Sequence, residues 1–279
     1  MKLPSPRYTV TAVNHKYTIN MPDGTTIGPL QSVTGVLGII DKPALKGWAA
    51  RMAAQYFKTE ILRLGRGALD PAVLEQIATD AQKAHTKFAK DAADLGTACH
   101  DAFEAIILGK ELVSYPKELE EPIAAFKTYR LQSDIEVVAT ELMVASAKHR
   151  AGGCLDFLGY SKARGGWGIG DYKTSSGFYG VEYALQAGGG YALMVEEQYG
   201  IKISWSEIVR FSKKPPYESE ARPVTDIAAS MAGFLQALDL TRTTKMPLIG
   251  APTFESAGKP VEAKPKAPAK TKRAGAMPF

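Results

Sequence analysis

Two acidic residues and a lysine stand where neighbouring strands could bring them together. Asp171 and Lys173 are two residues apart in a predicted strand, 167–173, so both side chains project to one face of the sheet. Asp156 lies on the preceding predicted strand, where hairpin pairing could place it beside Asp171. Two carboxylates about 4 Å apart repel by roughly 4 kcal/mol at an effective dielectric constant near 20. The pair therefore requires a cation or a proton between its members.

A predicted helix before these strands carries two further candidate ligands. His100 and Glu104 are four residues apart and share one face of that helix. If the face meets the strand edge, Glu104 adds a third carboxylate to the group. Carboxylate oxygens with an imidazole suit Mg²⁺ or Mn²⁺ better than a structural zinc ion. Such an ion could polarise a phosphoryl group and activate water, while Lys173 positions the water or offsets charge in the transition state.

Helices and strands must alternate in a mixed order to position these residues. The predicted strands are 8–13, 16–20, 136–147, 152–160, 167–173 and 203–211. The predicted helices are 44–64, 71–91, 94–108, one that follows Pro116, 183–198, and a last one that Thr225 and Asp226 cap and that ends near Leu240. This order predicts an α/β (α+β) fold with a mixed central sheet flanked by helices, after an N-terminal hairpin and helical region.

Four motifs occur in an order and spacing that resembles a known family. They are Gly96-Thr97-x-x-His100-x-x-x-Glu104, Gly152-Gly153-x-Leu155-Asp156, Asp171-Tyr172-Lys173-Thr174, and Gln186. Over roughly residues 94 to 200, the chain resembles the PD-(D/E)XK nuclease superfamily, specifically its RecB-like exonuclease branch with phage-encoded members. An isolated Asp-x-Lys on a strand is more often a surface ion pair. The resemblance therefore depends on all four motifs together.

The resemblance implies a restriction-endonuclease-like fold and gives roles to individual residues. The implied catalytic residues are Asp156, Asp171, Lys173, Glu104 and Gln186. The implied metal positions are Asp156, Asp171, Tyr172, His100 and Glu104, with Mg²⁺ or Mn²⁺ as the ion. Secondary candidates are Glu141, Tyr191 and Thr174. Two alternatives stay open: His100 and Glu104 as residues of a helix surface, and Glu141 as a strand-edge glutamate paired with a lysine.

The segment after Gln186 departs from the family pattern. The family places a tyrosine four residues after the glutamine, whereas Tyr191 comes five residues after Gln186, behind three consecutive glycines. In a regular helix the extra residue turns Tyr191 about 100° away from the expected face. Each glycine costs roughly 1 kcal/mol relative to alanine within a helix. We therefore expect a deformed helix or a close backbone approach at this point.

Composition limits the class of protein. With 45% hydrophobic and 23% charged residues, the chain has the composition of a globular protein. It contains no 18-residue apolar run and no apolar core of a secretory signal near Met1, so we expect a cytoplasmic protein, in the host cytoplasm if phage-encoded, with no membrane partner. Cys99 and Cys154 are too few for a disulfide framework, a cysteine-based zinc site or an iron–sulfur cluster.

The C-terminal segment 252–279 differs in composition from the rest. It is dominated by Pro, Ala, Lys and Gly, which predicts a disordered tail. From Glu255 onward six bases face two acids, so this segment carries +4 of the net charge of +5. The tail could attract phosphate without sequence preference, or it could be a solvated segment with no specific role. Its end, Met277-Pro278-Phe279, could dock on a single-strand-binding or annealing protein.

The sequence predicts three parts of the chain and one main function. Residues 1–93 would form the hairpin and helical region packed on the core, 94–251 the nuclease core, and 252–279 the tail. The expected function is that of a metal-dependent nuclease on single- or double-stranded DNA. An exonuclease in phage-type replication or recombination is favoured over an endonuclease. The alternatives are a nuclease scaffold that binds DNA or a partner without cutting, and a site-specific endonuclease.

Overall fold

The computed structural model describes residues 1–65, 70–175, 177–178, 180–213 and 215–244. In these residues the protein is a mixed α/β structure, as predicted, in which helices flank a mixed six-stranded sheet. The predicted tail, 252–279, lies outside the described residues. Within the described part of the chain, no helix combines the length and the apolarity needed to cross a bilayer.

The N-terminal hairpin is confirmed and forms a small separate sheet. Strands β1 (Thr9–Val13), β2 (Lys16–Asn20) and β3 (Thr26–Ile27) are antiparallel. Tyr17 and Ile19 project from β2 into a small apolar cluster with Ala145 of the central sheet. The hydroxyl of Tyr8 also donates to the carbonyl oxygen of Ala145 at 2.9 Å. The hairpin is thereby held against the central sheet by both apolar and polar contacts.

The central sheet contains the three predicted strands that carry the site, and each begins and ends within one residue of its predicted bounds. Its strands are β4 (Gln31–Ser32), β5 (Glu136–Ser146), β6 (Ala151–Ser161), β7 (Gly166–Lys173), β8 (Ile203–Phe211) and β9 (Ser219–Pro223). The pairs β4–β6 and β7–β8 are parallel, and the other pairs are antiparallel. The sequence did not predict β4 and β9, because one has two residues and the other is short, polar and largely exposed.

One edge of β6 is shared by two different strands. The short β4 pairs with β6 at Ala151 and Gly152, whereas β7 pairs with it from Phe157 to Ser161. Between these two stretches, the described strands leave residues 153–156 of β6 without a partner on this edge. The strands β6 and β7 therefore diverge at Phe157 and Gly170. We call the opening between them the fork, and Asp156 and Asp171 are the first residue of each strand beyond the last pair.

The helical region differs from the prediction in one respect. Helix α1 (Val33–Leu37) follows β4, α2 (Pro43–Leu64) agrees with the predicted helix, and α3 runs without a break from Pro71 to Ile107. The predicted separation into helices 71–91 and 94–108 is therefore wrong, and the expected boundary between residues 93 and 94 falls inside α3. Residues 86–94 are exposed on every side. Because none of them is buried, they have no apolar periodicity, and a sequence without that periodicity resembles the end of a helix.

Each face of the sheet is covered by its own helices. One face packs on α1, on a helical segment made of α5 (Glu182–Ala184), a π-helix (Leu185–Tyr191) and α6 (Ala192–Tyr199), and on α7 (Ile227–Thr243). The other face packs on the C-terminal part of α3, a 3₁₀ turn (Lys117–Leu119) and α4 (Glu120–Gln132). Gly168 and Gly170 of β7 leave room on this second face for the rings of Trp205 and Phe157, which a Cβ would strike.

Candidate active site

Asp171 and Lys173 lie side by side at the end of β7, as their spacing predicts. A carboxylate oxygen of Asp171 is in ion-pair contact with Nζ of Lys173. The Asp171 side chain is 1% exposed and that of Lys173 is 21% exposed, so the pair is only partly reachable from solvent. Gln186 donates from Nε2 to the other oxygen of Asp171 at 3.2 Å. The sheet and the π-helix therefore hold one carboxylate from two sides.

Asp156 bridges the fork between the two strands. Its Oδ2 accepts a hydrogen bond from the backbone N–H of Tyr172 at 2.5 Å. Its Oδ1 lies 3.5 Å from Nδ1 of His100, which α3 carries to the same place. The fork leaves this stretch of β6 free of backbone pairing to β7, so the side chain of Asp156 can take the place of the missing pair. The site is built where the sheet opens.

Glu141, a secondary candidate, joins this group from the strand on the other side of β6. The register pairs Thr140 with Phe157 and Leu142 with Leu155, so Glu141 stands across from Asp156. One ligand atom from each of His100, Glu141 and Asp156 lies within 4.8 Å of the others. The backbone of Glu141 has φ +46°, a left-handed conformation that costs an L-residue roughly 1 kcal/mol or more. This local strain sits at the point where the three ligands converge.

These three ligands suit a hard divalent cation. Mg²⁺ binds oxygen ligands at about 2.1 Å in octahedral geometry, which places opposite ligands about 4.2 Å apart. The observed spread within 4.8 Å is close to that size. Cys154 also approaches, with Sγ donating to Oε2 of Glu141 at 3.5 Å. The alternative of a lysine partner for Glu141 is not what the described contacts show.

Three other predicted residues lie around this cluster. Among the described residues, neither Asp171 nor Glu104 is part of the three-ligand group, but the negative charge of Glu104 is close enough to raise the pKa of Glu141. Thr174 follows β7 where the strand meets α3, and its Oγ1 lies 3.4 Å from the position a Cβ on Gly96 would take. The structure thus brings the charge of Glu104 near Glu141 and places Thr174 next to α3 at Gly96.

Tyr172 was predicted to be a metal-binding position, but its side chain lies away from the site. Its ring is 2% exposed and packs among Phe103, Phe126 and Phe211 on the opposite face of the sheet. A strand turns successive side chains to opposite faces, so the residue between Asp171 and Lys173 must point away from them. Only the backbone of Tyr172 reaches the site, through the N–H that Asp156 accepts.

Burial and charge set the protonation of the site. Burial raises the pKa of Asp171, Lys173 opposes that shift, and the neighbouring Asp156 adds to it. Burial would also raise the pKa of Asp156, but the hydrogen bond and charge of His100, together with Lys173, outweigh it and lower that pKa. The pKa of Glu141 is raised by burial and then by the charge of Asp156. The charge of Asp156 thus opposes ionisation of both Asp171 and Glu141, as expected for closely spaced carboxylates.

The π-helix resolves the departure at Tyr191. A π-helix bonds residue i to i+5, so the fifth residue takes the place that the fourth has in an α-helix. Accordingly Gln186 Nε2 lies 3.2 Å from the Tyr191 hydroxyl as well as from Asp171. The expected close backbone approach is confirmed too, because Gly189 lies directly against the backbone of Ser230 in α7. Gly153 of β6, in turn, leaves room for the ring of Tyr191.

Two residues at the site were not predicted. The ring of Tyr183 lies 5.3 Å from Nζ of Lys173, and burial raises the pKa of its hydroxyl although the charge of Lys173 opposes that shift. Cys154 touches Glu141. Position in the sequence offered a signal only for Cys154, which lies two residues before Asp156 on the same predicted strand. Tyr183 lies on the three-residue helix α5, and no local sequence pattern relates its position to that of Lys173.

Comparison with known protein families finds no family that matches the chain, and a search of curated proteins likewise finds no similar sequence.

Proposed function

We propose that this protein is a Mg²⁺- or Mn²⁺-dependent deoxyribonuclease. The observation that carries the proposal is the convergence, at the fork of β6 and β7, of Asp156, Asp171 and Lys173 with His100 and Glu141. Acidic ligands around one point and an adjacent amine are what metal-assisted phosphodiester hydrolysis needs. The proposal includes the restriction-endonuclease-like form of the core, which the fork and the order of the four motifs support.

Each residue has a part in this chemistry. Asp156, with His100 and Glu141, would hold the cation, and Asp171 would add a further oxygen from across the fork. The chemistry that a cation held by these residues would supply is polarisation of the scissile phosphate and activation of water. Lys173 carries a positive charge that can stabilise negative charge growing on the phosphate oxygens. Gln186 and Tyr191 keep the Asp171 carboxylate, and through it Lys173, in place.

The substrate in this proposal is DNA, and the action is at strand ends. The sequence resemblance to the RecB-like branch supports exonucleolytic action in phage-type replication or recombination. On α3, which carries His100, the exposed residues Lys83 and Lys87 have side chains that phosphate could approach. Activity on covalently closed DNA would instead favour a site-specific endonuclease.

The test is digestion of end-labelled single- and double-stranded DNA by the full chain with Mg²⁺, Mn²⁺ or EDTA. We expect cleavage with either metal, none with EDTA, and a loss of at least 100-fold in rate, on the order of 2.7 kcal/mol of transition-state stabilisation, for Asp171→Asn and Lys173→Met. Asp239→Asn and Lys127→Met are matched controls, because both residues are exposed and lie outside the site.

The outcomes separate the candidate functions. Folded Asp171→Asn and Lys173→Met proteins that still cut DNA would contradict the assignment. DNA binding that persists in EDTA, with no product under any metal, would instead support a binding module built on this scaffold. Circular dichroism of each variant shows whether a lost activity reflects chemistry or loss of the fold.

A further inference from the structure

The face of the sheet that carries Asp171 continues past the site as a row of cations. In the register of β7 with β8, Asp171 pairs with Ile208 and Lys173 with Arg210. In the register of β8 with β9, Ile208 pairs with Arg222. Directly paired residues project to the same face, so Arg210 and Arg222 share the face of Lys173. Two strand spacings, about 10 Å, separate Asp171 from Arg222.

A cavity of about 330 Å³ opens at this row. Phe178, Tyr183, Ile208 and Arg222 line it on the side of the sheet, and Ala229 and Ser230 of α7 close it. Tyr183 also contacts Lys173 through its ring, which joins the cavity to the site. The volume lies at the lower end of the range for small-molecule sites, about 300 to 1,000 Å³.

The lining residues Phe178 and Arg222, with Arg210 beside them on the sheet, combine an aromatic surface with positive charge. The guanidinium of Arg222 lies 4.2 Å from the ring centroid of Phe178, and that of Arg210 lies 5.8 Å from it. Both arginines share a single acid, Glu220, at 3.1 Å from Arg210 and 2.7 Å from Arg222. The Nε of Arg210 is buried without a hydrogen-bond partner among the described residues.

The cavity lining contains an acid, Asp226, and one of its two carboxylate oxygens is engaged in capping α7. Asp226 lines the cavity and caps α7, with Oδ1 accepting from the N–H of Ala229 at 2.8 Å. The two arginines carry two positive charges and Glu220 carries one negative charge, so these three residues of the sheet have a net charge of +1. An occupant with a flat ring and a phosphate matches these two features, because bases stack on aromatic side chains and guanidinium groups bind phosphate in pairs of hydrogen bonds.

We propose that this cavity binds the terminal nucleotide of a DNA strand, with its base against Phe178 and its phosphate at Arg222. The proposal rests on the proposed nuclease function and names a binding position for its substrate. A nucleotide held there lies next to Lys173, so the neighbouring phosphodiester bond reaches the fork. Tyr183 stands between the two positions and contacts both.

The test is equilibrium binding of dAMP to the full chain, by titration calorimetry in EDTA. Without a metal, the carboxylates of the fork repel phosphate, so binding there does not contribute. Stacking predicts that Phe178→Ala weakens dAMP binding by about 5- to 150-fold, while Phe178→Trp retains it. Arg222→Gln should weaken dAMP binding by tenfold or more, about 1.4 kcal/mol, and leave the weaker binding of deoxyadenosine unchanged.

Matched controls come from the helical pair α2 and α3. Phe88→Ala and Arg63→Gln change an exposed phenylalanine and an exposed arginine far from the cavity in the sequence, and neither should alter dAMP binding. If Phe178→Ala does not fold, Phe178→Leu keeps the apolar volume and removes the ring. A wild-type protein that does not bind dAMP, or one whose binding is insensitive to Phe178 and Arg222, would overturn the proposal.

The binding and cleavage experiments distinguish failure of the cavity proposal from failure of the proposed nuclease function. Metal-dependent cleavage of DNA without dAMP binding would remove the cavity proposal and leave the proposed function. Binding of dAMP that depends on Phe178 and Arg222, in a protein that never cuts DNA, would remove the function and leave a nucleotide-binding site. Inorganic phosphate serves as the third titrant, because binding equal to that of dAMP would refute the stacked base.

Discussion

Gly189 lies where intrinsic helix propensity and tertiary packing predict opposite effects of one substitution. It is buried in the π-helix that carries Gln186 and Tyr191. Propensity alone predicts that Gly189→Ala stabilises the helix by about 1 kcal/mol. In the structure, however, a Cβ at this position would lie 2.5 Å from the carbonyl oxygen of Ser230 and 3.0 Å from its carbonyl carbon. Backbone atoms of α7 cannot rotate out of the way, so α7 or the π-helix must move.

The expected change in the free energy of unfolding combines the gain in helix propensity with the cost of the steric clash. Insertion of a methyl group into a packed interior costs about 1–3 kcal/mol, and contact with backbone belongs in the upper part of that range. After the gain of about 1 kcal/mol in propensity, we expect a net loss of about 1–2 kcal/mol in the free energy of unfolding. Displacement of Gln186 would also lower the rate of DNA cleavage, since Gln186 holds Asp171.

The measurement is equilibrium unfolding in guanidinium chloride, followed by circular dichroism. Gly47→Ala in α2 is the matched control, because there a Cβ would meet only the end of the Arg51 side chain, at 3.5 Å. We expect Gly47→Ala to stabilise the protein by about 1 kcal/mol. If both variants gain stability equally, the close contact between the π-helix and α7, and the explanation of Tyr191 that depends on it, is refuted.

Three further predictions concern the site and its surroundings. Mn²⁺ should raise the thermal unfolding midpoint of the wild-type protein in a concentration-dependent way, and Asp156→Asn should abolish that rise in a thermal shift assay. Glu141→Gly should raise stability in the absence of metal by about 1 kcal/mol, because glycine accepts the positive φ and removes a repelled carboxylate, yet weaken Mn²⁺ binding measured by calorimetry. The pKa of Asp134 is lowered by the Ser161 hydroxyl and by Arg164, so its stabilising effect is present above the unfolded pKa of about 4 and is lost as the pH falls below it. The stability difference between wild type and Asp134→Asn should therefore be constant from pH 5 to 7 and shrink in acid, and a difference that grows on acidification would contradict this reasoning.

Elements with strong local patterns were predicted well. The strand β8 spans the predicted residues 203–211, because alternation and β-branched residues mark both ends. The strands β6 and β7 begin one residue early, a small difference at their turns. Where a segment is exposed, as in residues 86–94 of α3, the apolar pattern is absent while the helix continues. Hydrophobic periodicity reports on burial, so it is silent about exposed helix and about short edge strands such as β4 and β9.

The amino-acid sequence alone determined which residues could do the chemistry and which local element carries each of them. Asp171 and Lys173 share a face because a strand repeats every two residues, and His100 and Glu104 share one because a helix repeats after about four. Those relations are local and need no knowledge of the rest of the chain. They also explain why the side chain of Tyr172 points away from the site.

Tertiary structure decided which of these residues meet. The fork depends on β4, which pairs with β6 from more than a hundred residues away, and the convergence of Glu141 and His100 on Asp156 depends on the register of β5 and on the packing of α3. The π-helix exists where three glycines face α7. Distances between segments far apart in the chain arise from packing and pairing summed over the whole molecule, and no local pattern encodes that sum.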